Sequence, residues 1–368
     1  MKPLGFAIIG CGGITLQNHL PGLALCPDTW VTALCDANPE VLERARRDTG
    51  VSVASTDYRE ILERDDVHAV IVATPNHMHA PIVLEAVNRG KHVLCEKPLA
   101  LSAADARGMA DAADAAGVRH MTAFTYRFVP AMRYLTDLVR RGDLGVPYHY
   151  RSCRLQDWGT RPLGWRQVKA MAGCGELGDM LSHRIDFAHH LIGPMSRVVA
   201  HMKNLTPDRG GQPNDTDDWV AVLAEFAGGA SGVLESSKLA TGHNESWRSL
   251  DLVELNGSEA SFRFTTGSWN TLQVGRPGGP GLETLEIPQE YWTWPGSKRD
   301  PGTGDPLVTF RYDQAWEFVD AIRSERPCVP SFHDGVRAQE VMEAAILSSE
   351  SGAWVALGAK GRALRAER

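Results

Sequence analysis

The feature that most constrains the fold is a glycine-rich turn near the start of the chain. Residues 10–14 (Gly-Cys-Gly-Gly-Ile) directly follow the apolar run 4–9 and open a helical pattern. Glycines in such a turn let the backbone approach a pyrophosphate, and the following helix supplies free N–H groups at its N-terminus. Asp36 ends the second apolar run, where a carboxylate can accept hydrogen bonds from a ribose. We therefore predict a dinucleotide site formed by Gly10, Gly12, Gly13, Ile14 and Asp36.

Short apolar runs alternate with helical patterns through the N-terminal part of the chain. The predicted strands are 4–9, 30–35, 69–73, 92–95 and 118–123, and the predicted helices are 14–25, 39–48, 58–64, 79–89 and 102–116. Strands that alternate with helices form right-handed crossovers and a parallel sheet with helices on both faces. This pattern predicts an α/β fold with a doubly wound parallel sheet, a Rossmann domain, over residues 1–123.

The pattern changes after residue 124. Longer strand-like segments, several of them alternating apolar and polar residues, cover 146–155, 196–204, 219–226, 230–238, 249–256, 259–264 and 270–275. Helical patterns cover 129–141, 175–192, 313–325 and 334–351, and the Gly- and Pro-rich stretch 276–306 is predicted to be a loop. We expect residues 124–368 to form a second, α+β domain whose helices cover one face of an open, mainly antiparallel sheet.

The charge and the apolar runs argue against nucleic acid and membranes as partners. The formal net charge is −7, so no basic surface is expected. The apolar run 4–9 is too short to span a bilayer and lacks the features of a signal peptide. The seven cysteines are scattered and include no Cys-x-x-Cys pair, which argues against a structural zinc site. We expect a cytoplasmic protein with reduced cysteines and no metal.

Two further motifs make the prediction more specific. Residues 74–79 (Thr-Pro-Asn-His-Met-His) follow the run 69–73, and residues 90–98 (Gly-Lys-His-Val-Leu-Cys-Glu-Lys-Pro) carry the next strand. Together with the glycine-rich turn, they resemble the Gfo/Idh/MocA oxidoreductase family. The resemblance implies NAD as cofactor and adds Thr74, Pro75, Asn76, His79, Glu96 and Lys97 to its site. Asp36 favours NAD over NADP, because its charge would repel a 2′-phosphate.

A third motif lies in the second domain. Residues 173–186 (Gly-Cys-Gly-Glu-Leu-Gly-Asp-Met-Leu-Ser-His-Arg-Ile-Asp) resemble a helix of the same family, and their spacing puts Asp179, His183 and Asp186 along one helix face. The resemblance implies that Lys97, Asp179 and His183 face the nicotinamide and the reacting carbon. We predict that His183 accepts the proton and that Lys97 bonds the same hydroxyl, although the reverse assignment is equally open. A metal held by Asp179, His183, His189 and His190 is a further alternative, which we do not expect because hydride transfer needs no metal.

The residues expected to contact the substrate lie in three segments that resemble those of sugar-oxidising family members. They are 124–131, 155–158 and 164–166, and they supply Tyr126, Arg127, Gln156, Trp158 and Arg166. Arg166 also suits the nicotinamide carboxamide, because its guanidinium donates in a fork. Trp158 and Trp165 fit either stacking on a sugar or burial in the core. A weaker polar and aromatic group consists of His243, Asn244, Trp247 and Arg248.

Two activities fit these residues. The first is transfer of a hydride to NAD from a sugar or cyclic polyol, with C3 of a pyranoside as the expected position. The second is a redox-neutral, NAD-dependent glycoside hydrolase, in which oxidation at C3 permits elimination, hydration and re-reduction. There Tyr126 would take the C2 proton, and an anionic group such as the sulfonate of a sulfoquinovoside would meet Arg127, Arg161, Arg166 and Lys169. A dinucleotide-sensing protein is a third possibility that should lack the lysine–histidine pair. The resemblance also implies a homodimer or homotetramer, formed through the exposed sheet face.

Overall fold

The computed structural model describes residues 3–244, 249–358 and 365–366, with the side chains of Thr266, Arg365 and Ala366 left aside. The chain forms two compact units. One consists of Met1–Phe128 and Thr293–Val336, and the other of Val129–Trp292 and Arg337–Arg368. The segment Thr293–Val336 thus packs with the first unit, whereas the sequence analysis placed it in the second domain, 124–368.

The strands are named here in chain order. They are β1 (Leu4–Ile9), β2 (Thr29–Cys35), β3 (Val53–Ser55), β4 (Ala69–Val72), β5 (His92–Cys95), β6 (His120–Thr122), β7 (Pro147–Leu155), β8 (Met195–Lys203), β9 (Asp208–Arg209), β10 (Gln212–Pro213), β11 (Trp219–Phe226), β12 (Ser231–Ser237), β13 (Leu250–Gly257), β14 (Ser261–Thr265), β15 (Thr271–Gly275), β16 (Glu283–Glu286), β17 (Val355–Ala356) and β18 (Arg365–Ala366).

The helices follow the same order. The α-helices are α1 (Leu20–Ala24), α2 (Pro39–Thr49), α3 (Tyr58–Leu62), α4 (His79–Asn88), α5 (Ala103–Ala115), α6 (Pro130–Arg140), α7 (Lys169–Ala172), α8 (Ser182–Leu191), α9 (Pro306–Thr309), α10 (Asp313–Arg323) and α11 (Phe332–Ser351). Two π-helical turns cover Thr15–His19 and Leu177–Leu181. Short 3₁₀ turns cover Asn76–Met78, Thr125–Phe128, Gly164–Gln167, Thr266–Ser268, Gln289–Tyr291 and Phe310–Tyr312.

The first unit contains a parallel sheet in the strand order β3-β2-β1-β4-β5-β6. This is the order of a dinucleotide-binding Rossmann fold, and the predicted fold class is confirmed. Every residue of β1 and β4 is buried, as expected for apolar strands covered by helices on both faces. The chain reverses its winding between β1 and β4, so a crevice opens at their carboxyl ends, where such folds bind ligands.

Helix α10 corrects the prediction that it covers the second sheet. Its buried residues Ala315, Phe318 and Val319 join the core that contains Phe6, and the rings of Phe318 and Phe6 meet edge to face at 6.1 Å. Helix α10 therefore covers the parallel sheet of the first unit. An amphipathic pattern shows that one face of a helix is buried, but it does not show against which sheet that face packs.

The second unit contains a ten-stranded sheet in the order β16-β15-β14-β13-β7-β12-β11-β8-β17-β18. Neighbours pair antiparallel except for β12 with β7, so the predicted mainly antiparallel sheet is confirmed. Strand β16 lies inside the predicted loop 276–306, where its mostly polar, exposed sequence gave no strand signal. No described helix is both long enough and apolar enough to span a membrane.

Candidate active site

The glycine-rich turn forms an open cradle at the end of β1. No described atom lies within 4 Å of the positions that Cβ atoms would take on Gly12 and Gly13. Gly10 is different, because its φ is +98° and a Cβ there would lie 2.4 Å from the carbonyl oxygen of Ala73. Gly10 thus permits close packing, while Gly12 and Gly13 leave space for a ligand. This shape fits a pyrophosphate at a helix N-terminus.

Thr15 stabilises this turn. Its buried hydroxyl donates to the carbonyl oxygen of Gly10 at 2.6 Å and so holds the start of the helix against the end of β1. The helix then begins with the π-turn Thr15–His19. Such turns are rare and are frequent at functional sites.

Asp36 lies beside the cradle, as predicted. One carboxylate oxygen accepts from the amide of Cys11 at 2.8 Å, and the other accepts from the amide of Asn38 at 2.9 Å. Each oxygen retains a further lone pair, so both can also accept from ribose hydroxyls. The arrangement fits an adenosine ribose without a 2′-phosphate.

The turn after β4 borders the same crevice. The Thr74 hydroxyl oxygen is buried and has no hydrogen-bond partner among the described residues. Asn76 is also buried and begins the 3₁₀ turn Asn76–Met78. Buried hydroxyls normally have a partner, so this orphaned group is consistent with a polar ligand in the crevice.

His79, which the family resemblance places in the cofactor site, is fully buried. Its Nδ1 and Nε2 lie 3.0 Å from the carbonyl oxygens of Pro98 and Thr74, respectively. Burial lowers the pKa of His79, against the opposing effect of both carbonyls, so we treat the ring as neutral. A neutral imidazole donates from one ring nitrogen only, so His79 hydrogen-bonds one of these two carbonyl oxygens, and the tautomer decides which one.

Glu96 has a partner that the sequence did not indicate. His19 is buried, and its Nε2 lies 2.9 Å from Oε1 of Glu96, whose Oε2 accepts from the Lys97 amide at 3.2 Å. Burial by itself would raise the pKa of Glu96, but the hydrogen bond and charge of His19 and the charge of Lys97 lower it overall. Glu96 is therefore a carboxylate beside Lys97. A histidine within a largely apolar helix was the available signal for this contact.

Tyr126 and Arg127 lie in the 3₁₀ turn Thr125–Phe128. The guanidinium of Arg127 is buried and donates to Asp334 at 2.8 Å, and its contact with the sugar stays a prediction. The Tyr126 ring has Arg311 at 5.8 Å, a neighbour that sequence analysis missed because it lies in the returning segment Thr293–Val336.

The second unit holds Asp179 and His183 in one continuous helical segment. The π-turn Leu177–Leu181 carries Asp179, and α8 carries His183, which is only 3% exposed. The start of this segment is clamped by Asp217, whose carboxylate accepts from the amides of Gly175 at 2.6 Å and Leu177 at 2.8 Å. Only glycine fits at position 175, because a Cβ there would lie 2.0 Å from the Asp217 carbonyl oxygen.

Gln156 and Trp158 also lie in the second unit, at the end of β7. Gln156 is buried and Trp158 is half-buried, with the Arg161 guanidinium 5.4 Å from the Trp158 ring centroid. Arg166 is exposed and stacks over Trp165 at 4.4 Å. Of the weaker group, Trp247 and Arg248 lie outside the described residues.

The predicted residues therefore form two sets. The first unit contributes Gly10, Gly12, Gly13, Ile14, Asp36, Thr74, Pro75, Asn76, His79, Glu96, Lys97, Tyr126 and Arg127, and the second contributes Gln156, Trp158, Arg166, Asp179 and His183. That Lys97 and His183 converge on one carbon stays a prediction.

One cluster of the described residues has the spacing of a metal site, although it was not predicted. Asp114, His120 and His333 have ligand atoms within 4.8 Å of one another. His120 Nδ1 accepts from the amide of Phe332 at 3.0 Å, so the proton is on Nε2, which faces Asp114 at 3.0 Å. A protonated Nε2 has no lone pair for a metal, so we interpret the cluster as hydrogen-bonded.

A Rossmann sheet with an open glycine cradle and a carboxylate for the ribose defines a nicotinamide-dinucleotide oxidoreductase. Residues 4–124 match the model of an oxidoreductase family with an NAD-binding Rossmann fold, and residues 132–263 match the GFO/IDH/MocA C-terminal domain. The chain belongs to the Gfo/Idh/MocA family, and its cofactor is NAD.

Two known dehydrogenases are similar to this chain along nearly its whole length. Levoglucosan dehydrogenase from Pseudarthrobacter phenanthrenivorans is 32% identical over 96% of this chain and 98% of its own. A solved complex of a levoglucosan dehydrogenase with NADH and levoglucosan superposes with a TM-score of 0.89 over 97% of this chain and 100% of that one, at 31% identity. Glucose-6-phosphate 3-dehydrogenase from Bacillus subtilis is 25% identical over 93% of this chain and 95% of its own.

Proposed function

We propose that this protein is an NAD-dependent dehydrogenase that oxidises a secondary hydroxyl of a sugar, with C3 of a pyranoside as the position. The observation that carries the proposal is a set of proton-transfer residues, Lys97, Asp179 and His183, in a chain similar over its length to levoglucosan dehydrogenase. Glucose-6-phosphate 3-dehydrogenase, another relative, also acts at a C3 position by its name.

Three residues of the chain have separate roles in the oxidation of the hydroxyl. Bound NAD supplies the acceptor for the hydride. His183 accepts the hydroxyl proton, Lys97 donates a hydrogen bond to the same oxygen, and Asp179 accepts one from a neighbouring hydroxyl. A well-placed general base contributes roughly 10²–10⁴ in rate. The Glu96 carboxylate, held by His19, attracts the Lys97 ammonium and so orients it.

The remaining predicted contacts suit a sugar. Trp158 offers an aromatic face for C–H groups, while Gln156, Tyr126 and Arg166 offer polar groups for hydroxyls. The comparisons do not favour the glycosidase alternative, because the relatives described above are dehydrogenases.

A cofactor assay tests this function. The protein is incubated with NAD and a panel of levoglucosan, glucose, glucose 6-phosphate, myo-inositol and aryl glycosides, and absorbance of NADH is followed together with release of the aryl group. We expect NADH to accumulate with at least one pyranoside and no aryl group to be released. Aryl release without net NADH would support the glycosidase instead, and no reaction with tight NAD binding would support a sensor.

We also propose a homo-oligomer that covers the outer face of the ten-stranded sheet. Val199, Leu223 and Val233 pair across β8, β11 and β12 and so share that face, where Leu223 is 49% exposed. Apolar rows of this kind mark interfaces. Leu223→Glu should reduce the mass measured by light scattering to that of one subunit, and an unchanged oligomer would count against this face.

The cytoplasm is the proposed location. All seven cysteines are free, and five of them are buried, which suits a reducing compartment. Fractionation of expressing cells tests the location, and recovery from an extracytoplasmic fraction would contradict it.

A further inference from the structure

A buried charge pair that the sequence motifs do not include lies within the second unit. Glu176 directly precedes the π-turn that carries Asp179, and Lys238 directly follows β12. Their side chains are 0% and 1% exposed, and Lys238 Nζ lies 3.7 Å from Glu176 Oε2. The pair thus joins the segment that carries Asp179 to the end of β12, which is hydrogen-bonded to the segment that carries Trp158.

Lys238 is attached to the segment that carries Trp158. Its carbonyl oxygen accepts from the amides of Trp158 at 3.0 Å and Gly159 at 2.8 Å. Gly159 permits this approach, because a Cβ there would lie 2.6 Å from Lys238 Cγ. The ammonium of Lys238 then lies 5.4 Å from the Trp158 ring centroid, within range of a cation–π interaction.

Glu176 is attached to the segment that carries Asp179. Its amide donates to the Asp217 carbonyl oxygen at 3.0 Å, and its Oε1 accepts from the Ser236 hydroxyl at 2.5 Å. Its Oε2 has no hydrogen-bond partner among the described residues, so the Lys238 charge is its main compensation.

Stability alone does not account for this pair. Buried ion pairs are often no more stabilising than apolar residues of similar volume, because both charges lose their hydration. Such a pair does fix the distance between the segments that it joins, since separating the charges in a buried site is costly.

We propose that Glu176 and Lys238 are positioning residues of the sugar site, which fix Trp158 relative to Asp179 and thereby set the affinity for the sugar. This inference rests on the proposed function. It assigns the pair a role in sugar binding and none in hydride transfer or NAD binding.

The ionisation of Glu176 should make sugar affinity depend on pH, which a pair with a purely structural role would not do. Burial raises the pKa of Glu176 to about 7, with the charges of Asp179 and Asp217 raising it and the charge of Lys238 and the Ser236 hydrogen bond lowering it. Arg209 is a further charge that interacts with this carboxyl. The pair therefore exists above about pH 7 and is lost below it, so sugar affinity should decrease as pH falls from about 8 to about 6.

The test compares E176Q, K238M and the double variant E176Q/K238M with the wild type. Sugar binding to the NADH-loaded protein is measured by calorimetry from about pH 6 to about pH 8, together with KM and kcat, using the sugar found in the cofactor assay. We expect Kd and KM to rise about tenfold in each variant, with kcat and the Kd of NADH within about twofold of wild type. The pH dependence of sugar affinity should flatten in E176Q. Lys203→Met, at an exposed position of β8, is the control and should behave as wild type.

The double variant keeps the test decisive if a single variant fails to fold, because it leaves no uncompensated charge. If it regains wild-type sugar affinity, or if E176Q keeps the wild-type pH dependence, the pair is only structural and the proposal is overturned. Failure of the proposed function would be seen earlier, because the wild type would neither reduce NAD nor bind any sugar of the panel; that result would overturn both.

Discussion

The predicted cofactor site and the predicted sugar site of this protein depend on different kinds of chemical group. In the first unit, the cradle consists of main chain and of missing side chains at Gly12 and Gly13. In the second unit, the segment that carries Asp179 is supported by buried charges, Asp217, Glu176 and Lys238. A pyrophosphate is recognised by backbone N–H groups, whereas a sugar requires hydrogen-bonding side chains at set positions.

The two sides share one local device. A π-turn covers Thr15–His19 beside the cradle, and another covers Leu177–Leu181 in the segment with Asp179. Each follows a glycine that packs closely against main chain, Gly10 in one case and Gly175 in the other. A closely packed glycine and a π-helical first turn therefore occur together once in each unit.

The largest expected effect separates chemistry from cofactor binding. Lys97→Ala and His183→Ala should each lower kcat by about 10³-fold, within the range for loss of a general acid or base, while NADH still binds. Steady-state kinetics and NADH fluorescence measure the two quantities. The double variant should lose little more than either single variant, because residues that act on one proton are not additive. Full additivity of the two losses in kcat would contradict a shared proton. Loss of NADH binding in Lys97→Ala would instead assign Lys97 to the cofactor cradle.

A smaller effect is expected from filling the cradle. Gly12→Val places a side chain where no described atom lies within 4 Å, so the fold should persist while the Kd of NAD rises about 100-fold. The matched control is Gly108→Ala in α5, which also has free space around the added Cβ but lies away from the glycine-rich turn in sequence. Its NAD affinity should stay unchanged, and its helix should gain up to about 1 kcal/mol. Equal NAD affinity in Gly12→Val and wild type would show that this turn does not hold the pyrophosphate.

The same contrast explains what the sequence could predict. Gly10, Gly12, Gly13 and Asp36 follow local rules of turn and strand end, so the parallel sheet was predicted correctly and the residues of the cradle could be proposed from the sequence alone. Contacts such as His19 with Glu96 or Glu176 with Lys238 join residues far apart in the chain, so no local pattern identifies the partner of either residue. The placement of α10 was wrong for the same reason, because an apolar helix face does not specify which sheet it covers.

The smallest expected effect concerns stability against pH, where the two units should respond in opposite directions. Burial lowers the pKa of His92 in the first unit to about 4, helped by the charges of Arg119 and His68. His92 Nδ1 accepts from the amide of Arg119 at 2.9 Å, which requires this nitrogen to be unprotonated. A depressed histidine pKa stabilises the fold above the unfolded value of about 6.5, and this contribution is lost as pH falls toward about 4.

Glu176 in the second unit should act in the other direction. Its raised pKa stabilises the fold below the unfolded value of about 4.5, and this contribution is lost as pH rises through about 7. Free energies of unfolding in urea at about pH 4.5, 6 and 8 test both effects. E176Q should flatten the decline toward pH 8 and leave the acid side unchanged, whereas His92→Gln should flatten only the acid side. If either variant changes the free energy of unfolding on both the acid and the alkaline side, the two groups titrate as one system and the contrast between the units fails.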